Sequence, residues 1–340
     1  NYHVSFSKNF VNEIKQLRHN NRCFFVIDEN VYSLYSNYLS FIPKEKIYFV
    51  RAIESNKTFD GCNKLISFLL KNSFKRNDKL ISIGGGIVQD ISCFVSSIMF
   101  RGIDWIFFPT TLLAQCDSCI GSKSSINVGE FKNQIGTFYP PSRIISFLNT
   151  LGKYEILSGI GEAIKVHYLD PKKDFDFLLE NYDSIRSKKK IKELIERSLL
   201  IKKEFIEKDE YDKGIRNLLN YGHTFGHALE SAVEYCIPHG IAVSAGIAMA
   251  NHISYRLGFL SEQENSKMLP ILKKNVSNHI LEISKIDVQS LYSALLKDKK
   301  NIDERVCFIL TKGFGKMIKH HLSLDEKTKN LISESLQCIL

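Results

Sequence analysis

Five short apolar runs, CFFVID (23 to 28), IYFVRA (47 to 52), KLISIGGG (79 to 86), WIFFPT (105 to 110) and RIISFL (143 to 148), alternate with amphipathic stretches such as Thr58 to Asn72. Strand runs that alternate with helical patterns predict a parallel sheet flanked by helices. After about residue 150 the strand signals nearly vanish. Long charged amphipathic segments (Phe175 to Glu207, Glu262 to Asn275, Asp287 to Lys299) predict a mostly helical second half, with one late strand-like run, VCFIL (306 to 310). A chain of 340 residues has the length for two domains, expected at 1–150 and 151–340. No internal repeat and no low-complexity linker interrupts it.

With 44% hydrophobic and 24% charged residues the composition is that of a globular protein. The net charge of +9 raises the question of nucleic acid, but the lysines are scattered and the dense runs, Lys188 to Lys190 and Lys297 to Lys300, are short. No nucleic-acid module accompanies them, so no nucleic-acid partner is expected, and some of the cations are expected to serve an anionic small substrate. Eight cysteines without a regular framework fit reduced thiols. Cys116 and Cys119 form a lone CxxC and are read as small packing residues. With no run of 18 apolar residues and no opening apolar segment, neither a membrane span nor export is indicated, and a cytoplasmic location is expected.

The stretch RNLLNYGHTFGHALESAVEYCIPHG, Arg216 to Gly240, is the richest in chemistry. His223 and His227 are four apart in a helical pattern, so both rings project from one face. His239 follows a Pro-containing turn at the start of the next apolar helix. Neutral imidazole is a common zinc ligand, and catalytic sites combine three protein ligands with an open position. Each histidine alone is as readily a core or capping residue. The cluster with Arg216 and Asn220 favours a site, because buried polar groups are unfavourable unless paired.

Three further patches carry polar groups. Gly84, Gly85 and Gly86 end an apolar run and precede a helical pattern, as a phosphate-cradling turn does, although a tight turn alone gives the same sequence. Asp90 can face a ribose or solvent, while Asp28 and Asn30 fall at the carboxyl end of a strand, where α/β sheets bind ligands. In PTTLLAQCDSCIGSKSSINVGEFKNQIG, Asp117, Lys123, Lys132 and Asn133 sit in turn-prone sequence that reads as a loop. In LSGIGEAIKVHY, Glu162 and Lys165 are one turn apart. Glu162 is the natural carboxylate to join two histidines, and a surface ion pair is the plainer alternative.

The ordered set GGGIVQD, RG followed by PTTLLAQ-x-D, GSK, KN-x-IG, G-x-GEAIK, DE, RNLLNYGHTFGHALE and HG resembles 3-dehydroquinate synthase and its sugar phosphate cyclase relatives, from about Asp28 to Lys300. The resemblance implies an α/β N-terminal Rossmann-like NAD-binding domain, a mostly α-helical C-terminal metal-binding domain, an active site in the cleft and a homodimer. It implies zinc or cobalt on Glu162, His223 and His239. NAD would be held by Asp28 to Asn30, Glu54, Lys57, Gly84 to Gly86, Asp90, Thr110, Thr111, Lys132 and Thr150. Substrate phosphate would meet Lys123, Asn133, His227, one of Lys299 and Lys300, and Arg101 from the partner subunit. Substrate hydroxyls would fall to Asp117 and Lys165, and the carboxylate to Lys202, Arg216 and Asn220. The implied chemistry is a transient oxidation of a ring hydroxyl, elimination of phosphate, return of the hydride and an intramolecular aldol closure, in the shikimate route to aromatic amino acids.

Some positions depart from the family pattern. Ile241 stands where HGEAV has Glu, removing a carboxylate expected near His239, and Asp212 stands where a Glu precedes Arg216 by four. GSKSS replaces GGKT, and VGEF fills the loop before Lys132 and Asn133 where HPLG or TPLG is usual. Arg216 favours a carboxylate-bearing substrate. The alternatives are a specialised cyclase of sedoheptulose 7-phosphate, glucose 6-phosphate or an amino analogue, and a polyol or glycerol phosphate dehydrogenase.

Overall fold

A computed structural model describes residues 2–7, 9–20, 22–129, 131–147, 153–172, 174–296, 305–323 and 325–340. The chain divides into two compact units, Asn1–Gly152 and Lys153–Leu340.

The first unit runs β1 (His3–Phe6), α1 (Phe10–Asn20), β2 (Cys23–Asp28), α2 (Glu29–Leu39), β3 (Ile47–Val50), α3 (Phe59–Lys71), β4 (Lys79–Gly84), α4 (Gly86–Ile98), β5 (Trp105–Pro109), β6 (Lys123–Val128), β7 (Phe131–Phe138) and β8 (Arg143–Ser146). Six strands form one parallel sheet in the order β1-β8-β5-β4-β2-β3. All six residues of β2 are buried, as befits a strand covered on both faces. Phe10 stacks on Phe147 at 4.4 Å, tying α1 to the sheet beside Phe25, Ile27 and Phe108. The helix expected from Thr58 to Asn72 is α3, started by Thr58 Oγ1 accepting from Gly61 N. From β2 the chain passes outward to β3 and then returns to β4 on the other side of β2. That reversal leaves a crevice at the carboxyl ends of β2 and β4, where sheets of this type bind ligands.

The segment read as a loop is in part a hairpin. β6 and β7 pair antiparallel, with an irregularity between Ile126 and Val128. β6 (KSSINV) has two serines and β7 (FKNQIGTF) has Lys, Asn, Gln and Gly at its centre, so neither carries the apolar alternation by which strands are recognised. Gly121 and Ser122 enter it in succession at φ 99° and 62°. Ser122 holds a left-handed conformation that favours glycine, so Ser122→Gly is expected to stabilise the protein by about 0.5 kcal/mol. Thermal unfolding reads this as a rise of about 1–2 °C, and a fall would show that the serine hydroxyl matters more than the strain.

The second unit runs α5 (Lys153–Tyr168), α6 (Phe175–Asn181), α7 (Lys188–Lys208), α8 (His223–Ala232), α9 (His239–Arg256), α10 (Glu262–Val276), α11 (Ile280–Ser284), α12 (Val288–Leu296), β9 (Arg305–Thr311), β10 (Met317–Ser323) and α13 (Glu326–Gln337). The single helical stretch expected over 175–207 is two helices, because Ser187 accepts from Lys190 N and starts α7 afresh. The late strand gains an antiparallel partner, β10, whose KHH sequence hid it. α9 is the axis of this unit: apart from its ends it is buried on every side, and α5, α8, α10, α13 and β9 all pack on it. Its Gly, Ala and Ser residues are what allow so many neighbours. Among the described residues no helix is long and apolar enough to cross a membrane.

Candidate functional site

Two close crossings build a polar centre in the second unit. Where α5 meets α9, a Cβ on Gly161 would lie 1.9 Å from Gly240 O, and one on Gly240 would lie 1.7 Å from Ser158 O. Only glycines let these backbones touch, and Gly240 N also donates to Ser158 Oγ at 2.9 Å. The residues beside those glycines, Glu162 and His239, are thereby brought together. On the other side of α9, a Cβ on Gly246 would lie 2.1 Å from Gly222 O, which seats the first turn of α8 and His223 against the same helix.

Glu162 is 1% exposed. Its Oε1 lies 3.5 Å from His223 Nε2 and 3.3 Å from His239 Nε2, and its Oε2 accepts from Lys165 Nζ at 2.6 Å. The pair with Lys165 is therefore deeply buried, which excludes the surface ion pair that the same spacing allowed. His223 Nδ1 faces Tyr221 O at 3.3 Å and His239 Nδ1 faces Glu230 Oε2 at 3.2 Å, leaving both Nε2 atoms turned toward Glu162. Zinc bonds of about 2.0–2.1 Å at the tetrahedral angle set two donors about 3.3–3.4 Å apart. The two distances from Glu162 Oε1, 3.3 Å to His239 Nε2 and 3.5 Å to His223 Nε2, are close to that spacing. His227 is exposed, and its ligand atom lies within 4.8 Å of those of His223 and His239. Burial pushes the His239 imidazole down, but hydrogen bonds and charge from Glu162 and Glu230 outweigh it and raise its pKa to about 10. The two carboxylates thus favour positive charge at that position, whether from a proton or from a bound cation.

Lys202 on α7 and Arg216 are buried cations of the same unit, and Asn220 Nδ2 donates to Asn217 O at 3.0 Å. Arg216 Nη1 donates to Glu210 O, and Asp209 Oδ2 accepts from the Gly214 and Arg216 amides, fixing the loop that carries the guanidinium. Asp212, at φ 57°, accepts from Asn217 Nδ2.

In the first unit, Asp28 ends β2 and its Oδ1 accepts from Asn30 N at 2.8 Å. Burial raises its carboxyl, against the backbone hydrogen bonds from Asn30 and Val31. Gly84 and Gly85 are tight: a Cβ on Gly84 would strike Val88, and one on Gly85 would reach Thr111. A Cβ on Gly86 would meet nothing within 4 Å, so open space adjoins the first residue of α4. Thr110 is buried at the end of β5, and Thr111 Oγ1 accepts from Ala114 N. Asp117 lies in a π-helical turn, Ala114–Ser118, a form frequent at functional sites. Cys116 and Cys119 beside it are both buried.

Asp90 is partly buried and paired with Lys57. Lys57 Nζ donates to Asp90 Oδ2 (3.1 Å) and to Asn133 Oδ1 (2.8 Å) and lies 3.2 Å from Glu54 Oε1. Asn127 Nδ2 donates to Glu54, Asn127 Oδ1 accepts from Asn133 N, and Ser125 Oγ donates to Asn133 Oδ1. Burial pushes both carboxyls up: on Glu54 the Lys57 charge and the Asn127 bond win and hold it low, whereas on Asp90 burial wins. Sequence reading missed Asn127 and Ser125, which link these groups. Lys123 is exposed and Lys132 half-buried on the hairpin, and Arg101 is exposed at φ 64°. Thr150, Lys299 and Lys300 lie outside the described residues.

Comparison with known proteins agrees with this architecture. The chain is 23% identical to 2-epi-5-epi-valiolone synthase from Streptomyces hygroscopicus subsp. jinggangensis 5008, solved with NAD+ and Zn2+ bound, with a TM-score of 0.85 over 100% of this chain and 96% of that one. It is 23% identical to 2-deoxy-scyllo-inosose synthase complexed with carbaglucose-6-phosphate, NAD+ and Co2+, with a TM-score of 0.84 over 99% and 96%. The fold is therefore that of the dehydroquinate synthase-like cyclases. Residues 47–158 match the family model for the 3-dehydroquinate synthase N-terminal region and 159–301 that for the C-terminal region. The 3-dehydroquinate synthase of Pelagibacter ubique strain HTCC1062 is 38% identical over 351 residues, 97% of this chain and 94% of that one. The chain belongs to the 3-dehydroquinate synthase family.

Proposed function

We propose that the protein catalyses the 3-dehydroquinate synthase reaction, the NAD- and divalent-metal-dependent conversion of 3-deoxy-D-arabino-heptulosonate 7-phosphate to 3-dehydroquinate and phosphate. The observation that supports it most directly is the buried Glu162, whose one oxygen lies 3.3 and 3.5 Å from two imidazole nitrogens, the spacing of donors around one ion. When bound, NAD would accept a hydride from the carbon bearing a substrate hydroxyl, the hydroxyl losing its proton, and would later return it, and the divalent ion would polarise that hydroxyl.

Glu162, His223 and His239 would hold the ion. The amides at Gly85 and Gly86 open α4 without a side-chain cap, so they can receive a pyrophosphate, with Glu54, Lys57, Asp90, Thr110, Thr111 and Lys132 about the nucleotide. Asp28 and Asn30 stand at the crevice between the ends of β2 and β4. Lys165, held by Glu162, and Asp117 would orient substrate hydroxyls. Lys123, Asn133 and His227 would receive the phosphate, and Lys202, Arg216 and Asn220 the carboxylate. The buried Lys202 and Arg216 suit the carboxylate because an anion stripped of water needs charged donors in place. Holding the leaving phosphate and the ring in one orientation supplies the entropic part of the catalysis. The working unit in this reading is a cytoplasmic homodimer in which Arg101, exposed on its left-handed turn, serves the partner copy.

The test is phosphate release by purified protein with NAD and zinc or cobalt, comparing the heptulosonate 7-phosphate with sedoheptulose 7-phosphate and glucose 6-phosphate. Release from the keto acid alone, with no net NADH, is expected. Release from a neutral sugar phosphate instead would make the protein a specialised cyclase, and accumulating NADH would make it a dehydrogenase.

A further inference from the structure

His239 is held from both sides. Its Nε2 faces Glu162 Oε1 at 3.3 Å, and its Nδ1 faces Glu230 Oε2 at 3.2 Å. Glu230 lies on α8, seven residues after His223 and three after His227, so it shares their helix face. It is 7% exposed and sits in the last turn of α8. A carboxylate there is opposed both by burial and by the negative end of the helix dipole. Helix stability alone is therefore a poor reason for its presence.

From this geometry we propose that Glu230 is the positioning residue for His239, fixing the tautomer in which Nδ1 carries the proton and Nε2 presents its lone pair beside Glu162. An imidazole that donates to a carboxylate is held in orientation and is a more basic ligand through its other nitrogen. Ile241 is apolar and fully buried in α9, and the carboxylate that meets His239 Nδ1 comes from α8. One short helix thus supplies a ligand, His223, and the group that orients the second ligand.

The inference rests on the metal-centre reading above, and its test separates the two. The full-length protein is stripped of metal by chelation, and Co2+ affinity is measured by competition with a chromophoric chelator for the unaltered chain, Glu230→Gln and Glu230→Ala. The visible absorption of each Co2+ complex is recorded alongside. Affinity is expected to fall about tenfold in Glu230→Gln and up to about 100-fold in Glu230→Ala, the scale for loss of a group that orients a ligand. The Co2+ bands are expected to shift in both. Glu230→Gln is nearly isosteric and carries the test should Glu230→Ala not fold. If the unaltered chain binds no Co2+, the metal-centre reading itself falls. If it binds Co2+ and Glu230→Gln binds within twofold with the same spectrum, Glu230 is a packing residue and the inference is overturned.

Discussion

Glu162→Gln is expected to remove metal binding and turnover together. The substitution keeps shape and deletes charge at a side chain that is 1% exposed, so the effect is electrostatic. A carboxamide has two ways to sit. With its NH2 toward the histidines it donates to the nitrogens that should face an ion, and with its NH2 toward Lys165 it sets donor against ammonium, now 2.6 Å from the Oε2 it replaces. Neither orientation rebuilds an anionic donor. Loss of an ionic partner in a desolvated site is worth about 3–5 kcal/mol, so Co2+ affinity should fall about 10³-fold and phosphate release by a similar factor. The same substitution leaves Lys165 without its carboxylate partner and should also lower stability by about 3 kcal/mol. The double variant Glu162→Gln/Lys165→Met separates the two effects. Replacing both members of a buried pair by neutral groups is often neutral for stability, so the double variant should melt near the unaltered protein yet bind no metal. Stoichiometric Co2+ binding at micromolar concentration by either variant would rule Glu162 out as a ligand.

How much of this could be read in advance differs by element. The parallel strands from β2 to β5 and β8 were legible because a strand buried on both faces must be a continuous apolar run, and CFFVID and WIFFP are such runs. β6, β7 and β10 were not, since strands interrupted by polar residues, Ser in β6, Lys, Asn and Gln in β7, Lys and His in β10, carry a weak signal. The candidate site follows the same logic. His223 and His227 share a face by spacing alone, so their association was visible. The approach of Glu162 to His239 depends on a helix crossing, and its only local trace is the glycine next to each of them, Gly161 and Gly240. Burial of the Glu162–Lys165 pair was undecidable from an i,i+3 spacing that surface and core share. Glu230 passed unnoticed because a Glu in the sequence HALE reads as an ordinary helix residue. Its role appears only once the turn after α8 returns His239 to its side.

The crossing of α5 and α9 makes a second large effect calculable. In Gly240→Ala the new methyl would start 1.7 Å from Ser158 O and 2.6 Å from Ser158 C, both main-chain atoms that no rotamer change can move aside. Non-bonded carbon needs about 3.5 Å, so the helices must part by well over 1 Å. Close-packed interiors resist such a shift, and overpacking of this kind costs about 3 kcal/mol or more. The parting also separates α5, which carries Glu162, from α9, which carries His239, the two atoms now 3.3 Å apart. A displacement of about 1 Å is enough to lose about 100-fold in a positioned site, so Co2+ affinity should drop on that scale in whatever fraction remains folded. Gly86→Ala supplies the contrast. A Cβ there meets no protein atom, and alanine is the better helix former, so stability should hold or rise by about 0.5 kcal/mol. NAD affinity should nonetheless fall, because the methyl enters the space through which a pyrophosphate would approach the α4 amides. Thermal unfolding, Co2+ titration and NAD titration of the two variants give opposite patterns if the glycines act as argued. Gly240→Ala melting within a degree of the unaltered chain with full Co2+ affinity would mean that this crossing relaxes and does not set the distance between Glu162 and His239.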